Sequence, residues 1–359
     1  MAVALVAAIA CSRGPETLPR GEASAQLDSA FKAYVDSVTR SVENPNPLWQ
    51  IVLHNIMIVK DGKVVAEHDF DPEWPAERPQ HMFSCSKTFT ALAVGLAVDD
   101  GLLSVEDSVA AFFPDKVKAD NPCRATVRDL LTMQGGHVTD PTWDTMAAYD
   151  STTMEIPLKP GADLVDAFLS HPFVHEPGTY FCYNSLSTYM CSAIVQKLTG
   201  KTIRDYLDER IFQPLGIEKP LWDMDEAGVC TGGWGLHLKL EDMAKIGQLL
   251  LQQGKWNGKQ LISAEWVEEQ TRKHINNYPN GLTAEQLDTP YYPLSRNDWV
   301  AGYGYQTWRN TIGGFRADGA WGQMIVVIPE KNAGIAARAN LTNHQSELWS
   351  FWDLLVPYL

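Results

Sequence analysis

Positive charge is scarce in this 359-residue sequence: 29 lysines and arginines stand against 44 aspartates and glutamates, a formal net charge of −15. No basic cluster interrupts that balance, which argues against nucleic acid and anionic membrane surfaces as partners. No repeat period is visible, and no apolar run is long enough to span a bilayer. Six cysteines are present, Cys11, Cys85, Cys123, Cys182, Cys191 and Cys230. None forms a Cys-x-x-Cys pair and their spacing suggests no zinc site, so neither a metal nor a structural disulfide is expected. Cys85, Cys182 and Cys191 sit in apolar or motif-flanking segments, where a free thiol behaves as a small hydrophobe.

What is present reads as a globular protein whose length allows one or two domains with a large core. Ala2 to Ala10 form a short apolar block followed by Cys11-Ser12-Arg13-Gly14-Pro15. That resembles the end of a bacterial lipoprotein signal, although the block is short and lacks a basic n-region. The expectation is a leader over 1–17 and an exported, envelope or periplasmic protein whose one membrane link is a lipid anchor at Cys11. A functionless N-terminus and a cytoplasmic location stay open.

An amphipathic helix is predicted around Leu27 to Val42, ended by Asn44-Pro45-Asn46-Pro47. Trp49 to Val59 reads as a strand buried on both faces, Asp61-Gly62 as a hairpin turn, and Lys63 to Ala66 as the returning strand. Short helices and loops fill about 103–229, with Thr126 to Thr132 and Leu186 to Leu198 the clearer helices. Asp242 to Gln252 and Ala264 to Arg272 are helical again. Tyr303 to Arg309, Gly322 to Ile328 and Gly334 to Leu341 read as strands, and Leu348, Phe351, Trp352 and Leu355 mark a closing helix. The fold class is α/β of the α+β kind: an antiparallel sheet from both chain ends, flanked by helices. A single domain, 18–359, would comprise an α/β lobe (18–102 and 230–359) and an inserted helical lobe (103–229).

The chemistry concentrates at Ser84-Cys85-Ser86-Lys87. On a helix this spacing sets a hydroxyl and an amine one turn apart on one face. A serine alcohol needs such a base to become a nucleophile. A second Ser-x-x-Lys, Ser29 to Lys32, lies opposite the apolar stripe of the first helix and reads as solvated. Ser84 instead opens the run Thr88 to Val98, which is apolar almost all round and belongs in a core. Read alone, Ser84 serves equally well as a helix N-cap.

Two further segments offer the remaining parts of an acyl-transfer site. Glu176-Pro177-Gly178-Thr179-Tyr180-Phe181-Cys182-Tyr183-Asn184-Ser185 places a phenol, an amide and a hydroxyl just before a helix. Beside Lys87, the Tyr183 phenolate would be favoured and its pKa brought toward working range; a buried tyrosine with a satisfied hydroxyl is the structural alternative. Arg316-Ala317-Asp318-Gly319-Ala320-Trp321-Gly322-Gln323 puts glycines where a backbone can approach a ligand. His137, Trp234 and Trp321 are read as packing.

Together these segments resemble the serine β-lactamase and penicillin-binding-protein superfamily, most of all its class C-like branch of esterases and D,D-peptidases. Supporting phrases include Thr126 to Thr132, Pro214-Leu215-Gly216-Ile217, Gly232-Gly233-Trp234-Gly235-Leu236 and Gly302-Tyr303-Gly304-Tyr305. The resemblance implies that Ser84 is the acylated nucleophile, Lys87 its base, Tyr183 a proton relay, and the Ser84 and Ala320 N–H groups the oxyanion hole. It implies substrate contacts from Asn184, Ser185, Asp318 and Gly319, and no cofactor. Ser185 stands where the family's Tyr-x-Asn element has asparagine, and Ala317-Asp318-Gly319 replaces Lys-Thr-Gly. Asp318 would repel a substrate carboxylate, and Arg316, next to position 317, is expected to face the other way along the strand. The expected activity is a two-step hydrolysis of a neutral or cationic ester or amide, small-molecule or peptide-like. A cell-wall D,D-peptidase and a non-catalytic sensor on the same fold are the alternatives.

Overall fold

The computed structural model describes residues 17–148 and 157–359; Cys11 and nearly all of the expected leader lie outside them. The first helix, α1 (Ala25–Ser41), is capped by Ser24, whose side chain accepts from the Leu27 N–H, and buries Leu27, Phe31, Tyr34 and Val38 along one stripe. Strands β1 (Leu53–Lys60) and β2 (Lys63–Asp69) form a hairpin through Asp61-Gly62, both at positive φ. Trp49 is not in the strand: it sits in a short 3-10 turn, half exposed.

The chain returns to this sheet only near its end, with β3 (Trp308–Arg309), β4 (Phe315–Gly319), β5 (Gln323–Ile328) and β6 (Ala333–Ala339). The order is β2-β1-β6-β5-β4-β3, and every pair is antiparallel. Leu53 thus faces Ala339 across the ladder. The strand expected over Tyr303 to Arg309 shrinks to its last two residues. Gln306 breaks it, with φ +54 and a side chain that donates to the Leu130 carbonyl (2.8 Å) and accepts from Thr188 Oγ1 (2.6 Å).

Helices cover both faces of the sheet, which is why its central strands are apolar at consecutive positions. Ile56, Ile58, Met324, Val326 and Ile335 pack with α1 and the C-terminal helix His344–Leu354. Met57, Val59, Ile325 and Val327 pack on the opposite side, with helices α2 (Ser86–Asp99) and α3 (Ser185–Thr199) in that second core. The helix Leu240–Leu251 lies directly on the sheet, and a Cβ at Gly247 would come 3.1 Å from Ile325 Cγ2. The five described cysteines are free thiols, and no described helix is long and apolar enough to cross a membrane.

Helix α2 is buried from Ser86 to Ala97. At its middle, Gly95 meets the indole of Trp266 so closely that a Cβ would lie 2.2 Å from Nε1. Alanine is the better helix former by about 1 kcal/mol, but overpacking costs about 1–3 kcal/mol. Gly95→Ala should therefore lower the urea midpoint; an unchanged or raised midpoint would contradict this packing.

Candidate active site

Ser84 sits in a single 3-10 turn, Phe83–Cys85, that leads into α2. It does not cap the helix: Cys85 holds the N-cap position, without a side-chain capping bond. The turn is strained, because Phe83 adopts φ +46, which costs a bulky residue about 1–3 kcal/mol. Burial on every other face of α2 leaves Ser84 half-buried at its exposed head. The rival Ser29 is exposed, and Lys32 pairs with Asp28 at 2.7 Å.

One turn on, the Lys87 amine is 1% exposed and donates to three oxygens: Ser84 Oγ (3.0 Å), Ser185 Oγ (2.9 Å) and the Gly233 carbonyl (2.8 Å). Burial pulls its pKa down to about 7, opposed by the charge of Asp140. A buried amine near neutrality is a competent base at physiological pH. Gly233 makes the close approach possible, since a Cβ there would sit 2.9 Å from the Ser185 carbonyl.

Tyr183 joins the same group, with Lys87 Nζ 4.8 Å from its ring centroid. The expected effect on its acidity is reversed. Burial pushes the phenol well up, with a hydrogen bond to Ser84 working weakly against it. The cation lies over the ring face, a π contact rather than one to the hydroxyl. Lys87, not Tyr183, is the group tuned to neutral pH.

Asn184 is 1% exposed and spends its side chain on structure. Its Oδ1 accepts from the Leu186 N–H (2.9 Å) and Ser187 N–H (3.3 Å), capping α3, and its amide nitrogen lies 2.9 Å from His137 Nδ1. Ser185, one residue on, faces the cleft instead. Gly319 serves the packing of the site: its carbonyl accepts the Gly322 N–H (3.1 Å), and a Cβ there would fall 2.3 Å from the Met82 carbonyl, so glycine lets β4 close on the Ser84 turn.

Asp318 also departs from expectation. Residues two apart on a strand share a face, and Arg316 Nε donates to Asp318 Oδ2 at 2.8 Å while His344 Nδ1 lies 2.8 Å from Oδ1. Both partners are among the most buried polar groups, Arg316 at 0% and Asp318 at 4%. Burial works to raise the Asp318 carboxyl, but His344 and Arg316 outweigh it and hold it below the usual range. Its charge is thus already matched, and it does not repel an anion as a free carboxylate would.

Two cavities of about 240 and 400 Å³ share Ser84, Tyr183 and Ala320. The smaller is walled by Phe83, Trp143, Met146 and Trp234, with His81, Asp140, Thr142 and Ser185 as its polar groups. The larger is walled by Phe181, Trp299, Val300 and Trp308, with Asp318, His344 and Asn277. No lysine or arginine is among the described residues lining either one. His344 has no donor to spare, because Nε2 accepts the Gly322 N–H (3.1 Å) and Nδ1 faces Asp318.

Asp140 is the residue that sequence reasoning missed. Its Oδ1 accepts from the Thr142 N–H (2.9 Å) and hydroxyl, and Oδ2 from the Ser185 N–H (3.4 Å). Burial raises its carboxyl. A lone aspartate in a loop carries no sequence signal; only the fold brings it beside Lys87. Trp234, read as packing, is 8% exposed and forms part of the cleft wall.

A half-buried serine beside a buried amine at an apolar cleft is the arrangement of a serine hydrolase. The chain belongs to the Beta-lactamase family, which matches residues 48–349. It is 27% identical to a D-aminopeptidase of Brucella anthropi over 57% of this chain and 38% of that protein. It is 28% identical to a lovastatin esterase of Penicillium rubens over 38% of each. The matches therefore span well under half the length of these two relatives. In fold it resembles a penicillin-binding protein homologue from Caulobacter crescentus, with TM-score 0.68 and 16% identity over 94% of this chain and 99% of the other.

Acylation should rise with pH, reaching half its maximum near pH 7, because the protonated Lys87 amine cannot accept the serine proton. Removing the Asp140 charge takes away a group that raises Lys87, so Asp140→Asn should shift this limb to lower pH. The pH dependence of a covalent serine probe's labelling rate measures both; a limb that stays put or moves up in Asp140→Asn would refute the coupling.

Proposed function

We propose that the protein hydrolyses esters or amides through an acyl-enzyme on Ser84. The contact that carries this reading is the 3.0 Å hydrogen bond between Lys87 and Ser84 Oγ, made by an amine that burial holds at about 7. Neutral Lys87 takes the Ser84 proton as the oxygen attacks the carbonyl carbon. The backbone N–H groups of Ser84 and Ala320, both at the cleft, receive the negative charge that develops on the carbonyl oxygen. Tyr183 keeps its proton at neutral pH and passes it to the leaving group, recovering one from Lys87. Water then attacks the acyl carbon by the same path in reverse and frees Ser84.

The walls of the cleft speak for the substrate. Both arms are aromatic and apolar, and among the described residues neither has a free cation to hold a carboxylate. Neutral or cationic substrates with apolar groups on one or both sides of the scissile bond fit this lining. The esterase and aminopeptidase among the relatives agree with such a range. The D,D-peptidase alternative needs an anchor for a terminal carboxylate that these walls do not offer. An exported location remains part of the proposal, supported by the apolar block before Cys11.

A fluorophosphonate probe with intact-mass detection should add one label to the wild type and none to Ser84→Ala. Lys87→Ala should slow labelling about 10²–10⁴-fold, the usual worth of a positioned base. In a panel of p-nitrophenyl esters, simple amides and D-Ala-D-Ala peptides, uncharged esters should give the highest kcat/KM and free-carboxylate peptides at least about tenfold less. Stable labelling by fluorescent penicillin at Ser84 would favour the cell-wall enzyme instead.

A further inference from the structure

A histidine-bearing cluster adjoins Ser84, on the short ladder that pairs Gln80–His81 with His237–Leu238. His81 faces His237 across it, and Asp223 lies against both, with Oδ2 3.7 Å from His81 Nε2 and Oδ1 3.8 Å from His237 Nε2. The three groups could bring ligand atoms within 4.8 Å of one another, but the hydrogen bonding opposes a metal. His81 Nδ1 accepts the buried Phe83 N–H at 3.1 Å. A neutral imidazole has one donor and one acceptor, so Nε2 carries the proton and points toward Asp223. A metal-bound imidazole usually donates through its other nitrogen; here that nitrogen accepts.

That acceptor is spent on a telling residue. Phe83 is in the left-handed region at φ +46 and immediately precedes Ser84. The His81 ring, 6% exposed, also packs edge-on against the Phe83 ring at 4.1 Å. The facing strand, His237–Leu238, begins shortly after Gly233, whose carbonyl receives the Lys87 amine. His81 thus braces the strained residue before Ser84. We propose that His81 is a positioning residue: by accepting the Phe83 N–H it holds the strained turn that aims Ser84 Oγ into the cleft. The carboxylate of Asp223, 3.7 Å from Nε2, favours by its charge the tautomer that leaves Nδ1 free to accept. The inference rests on Ser84 as the nucleophile. Should wild type fail to label with fluorophosphonate, that reading falls whatever the His81 variants do.

The test compares His81→Asn, whose Oδ1 occupies the place of Nδ1 and can accept the same N–H, with His81→Phe, which keeps the ring and loses the acceptor. For a p-nitrophenyl ester turned over by wild type, H81F should lower kcat about ten- to a hundredfold, the scale of a misaimed reacting atom, with KM little changed. H81N should recover at least about tenfold of that loss. Labelling rates should follow kcat. H81F at wild-type kcat, or H81N as slow as H81F, would overturn the proposal. If H81F fails to fold, H81Q replaces it, since its longer side chain carries the carbonyl beyond reach of Phe83. Equal rates for H81N and H81Q would then count against it.

Discussion

A lysine amine out of water, held by three oxygens, is the constraint on which the site depends. Burying an ammonium is costly unless it is paired or gives up its proton. Here the amine meets Ser84 Oγ, Ser185 Oγ and the Gly233 carbonyl, with Asp140 nearby. Those partners come from the turn before α2, the start of α3, and the glycine-rich segment before the Leu240–Leu251 helix. The apolar girdle of α2, which looks like core packing, is what brings Lys87 into the range of a base. Packing and the tuning of the amine are one requirement at this position.

Strain is distributed around the same point. Phe83 precedes Ser84 at φ +46 and Trp321 follows Ala320 at φ +65, so Ser84 and Ala320 each have a left-handed, bulky neighbour. Such conformations persist only where the surroundings over-determine them. The His81 acceptor, the Gly319 approach to the Met82 carbonyl, and Gln323 supply that determination. Gln323 ties its amide to the Ala339 carbonyl at 2.8 Å, and its own carbonyl accepts from Cys85 Sγ at 3.0 Å. The turn holding Ser84 is thereby clamped to the sheet beside Ala320.

Much of this was legible in the sequence, because it is written in local patterns. The stripe of α1, the continuous apolar strands and the core helix after Ser84 all have periodicities that survive without a fold. What was not legible depends on three dimensions. Asp140 is an ordinary loop residue until α3 brings Ser185 to it. Asn184 looked like a contact for substrate, yet the start of a helix made a better claim on its side chain. The Tyr183 phenol was expected to become more acidic, whereas burial, invisible in sequence, acts the other way. Arg316 and Asp318 are two apart, and counting strand positions would have put them on one face; the error was one of register.

The sheet has a kinetic side. Its central ladder joins Leu53 to Ala339, so the first strand hairpin must wait for nearly the whole chain before it is enclosed. Contacts so distant in sequence are slow to form. Until β4 and β5 pair, the turn between them that bears Ala320 is not in place, and the strained Phe83 has nothing to lean on. Closure of the cleft around Ser84 is therefore a late step of folding, set by topology rather than by local structure.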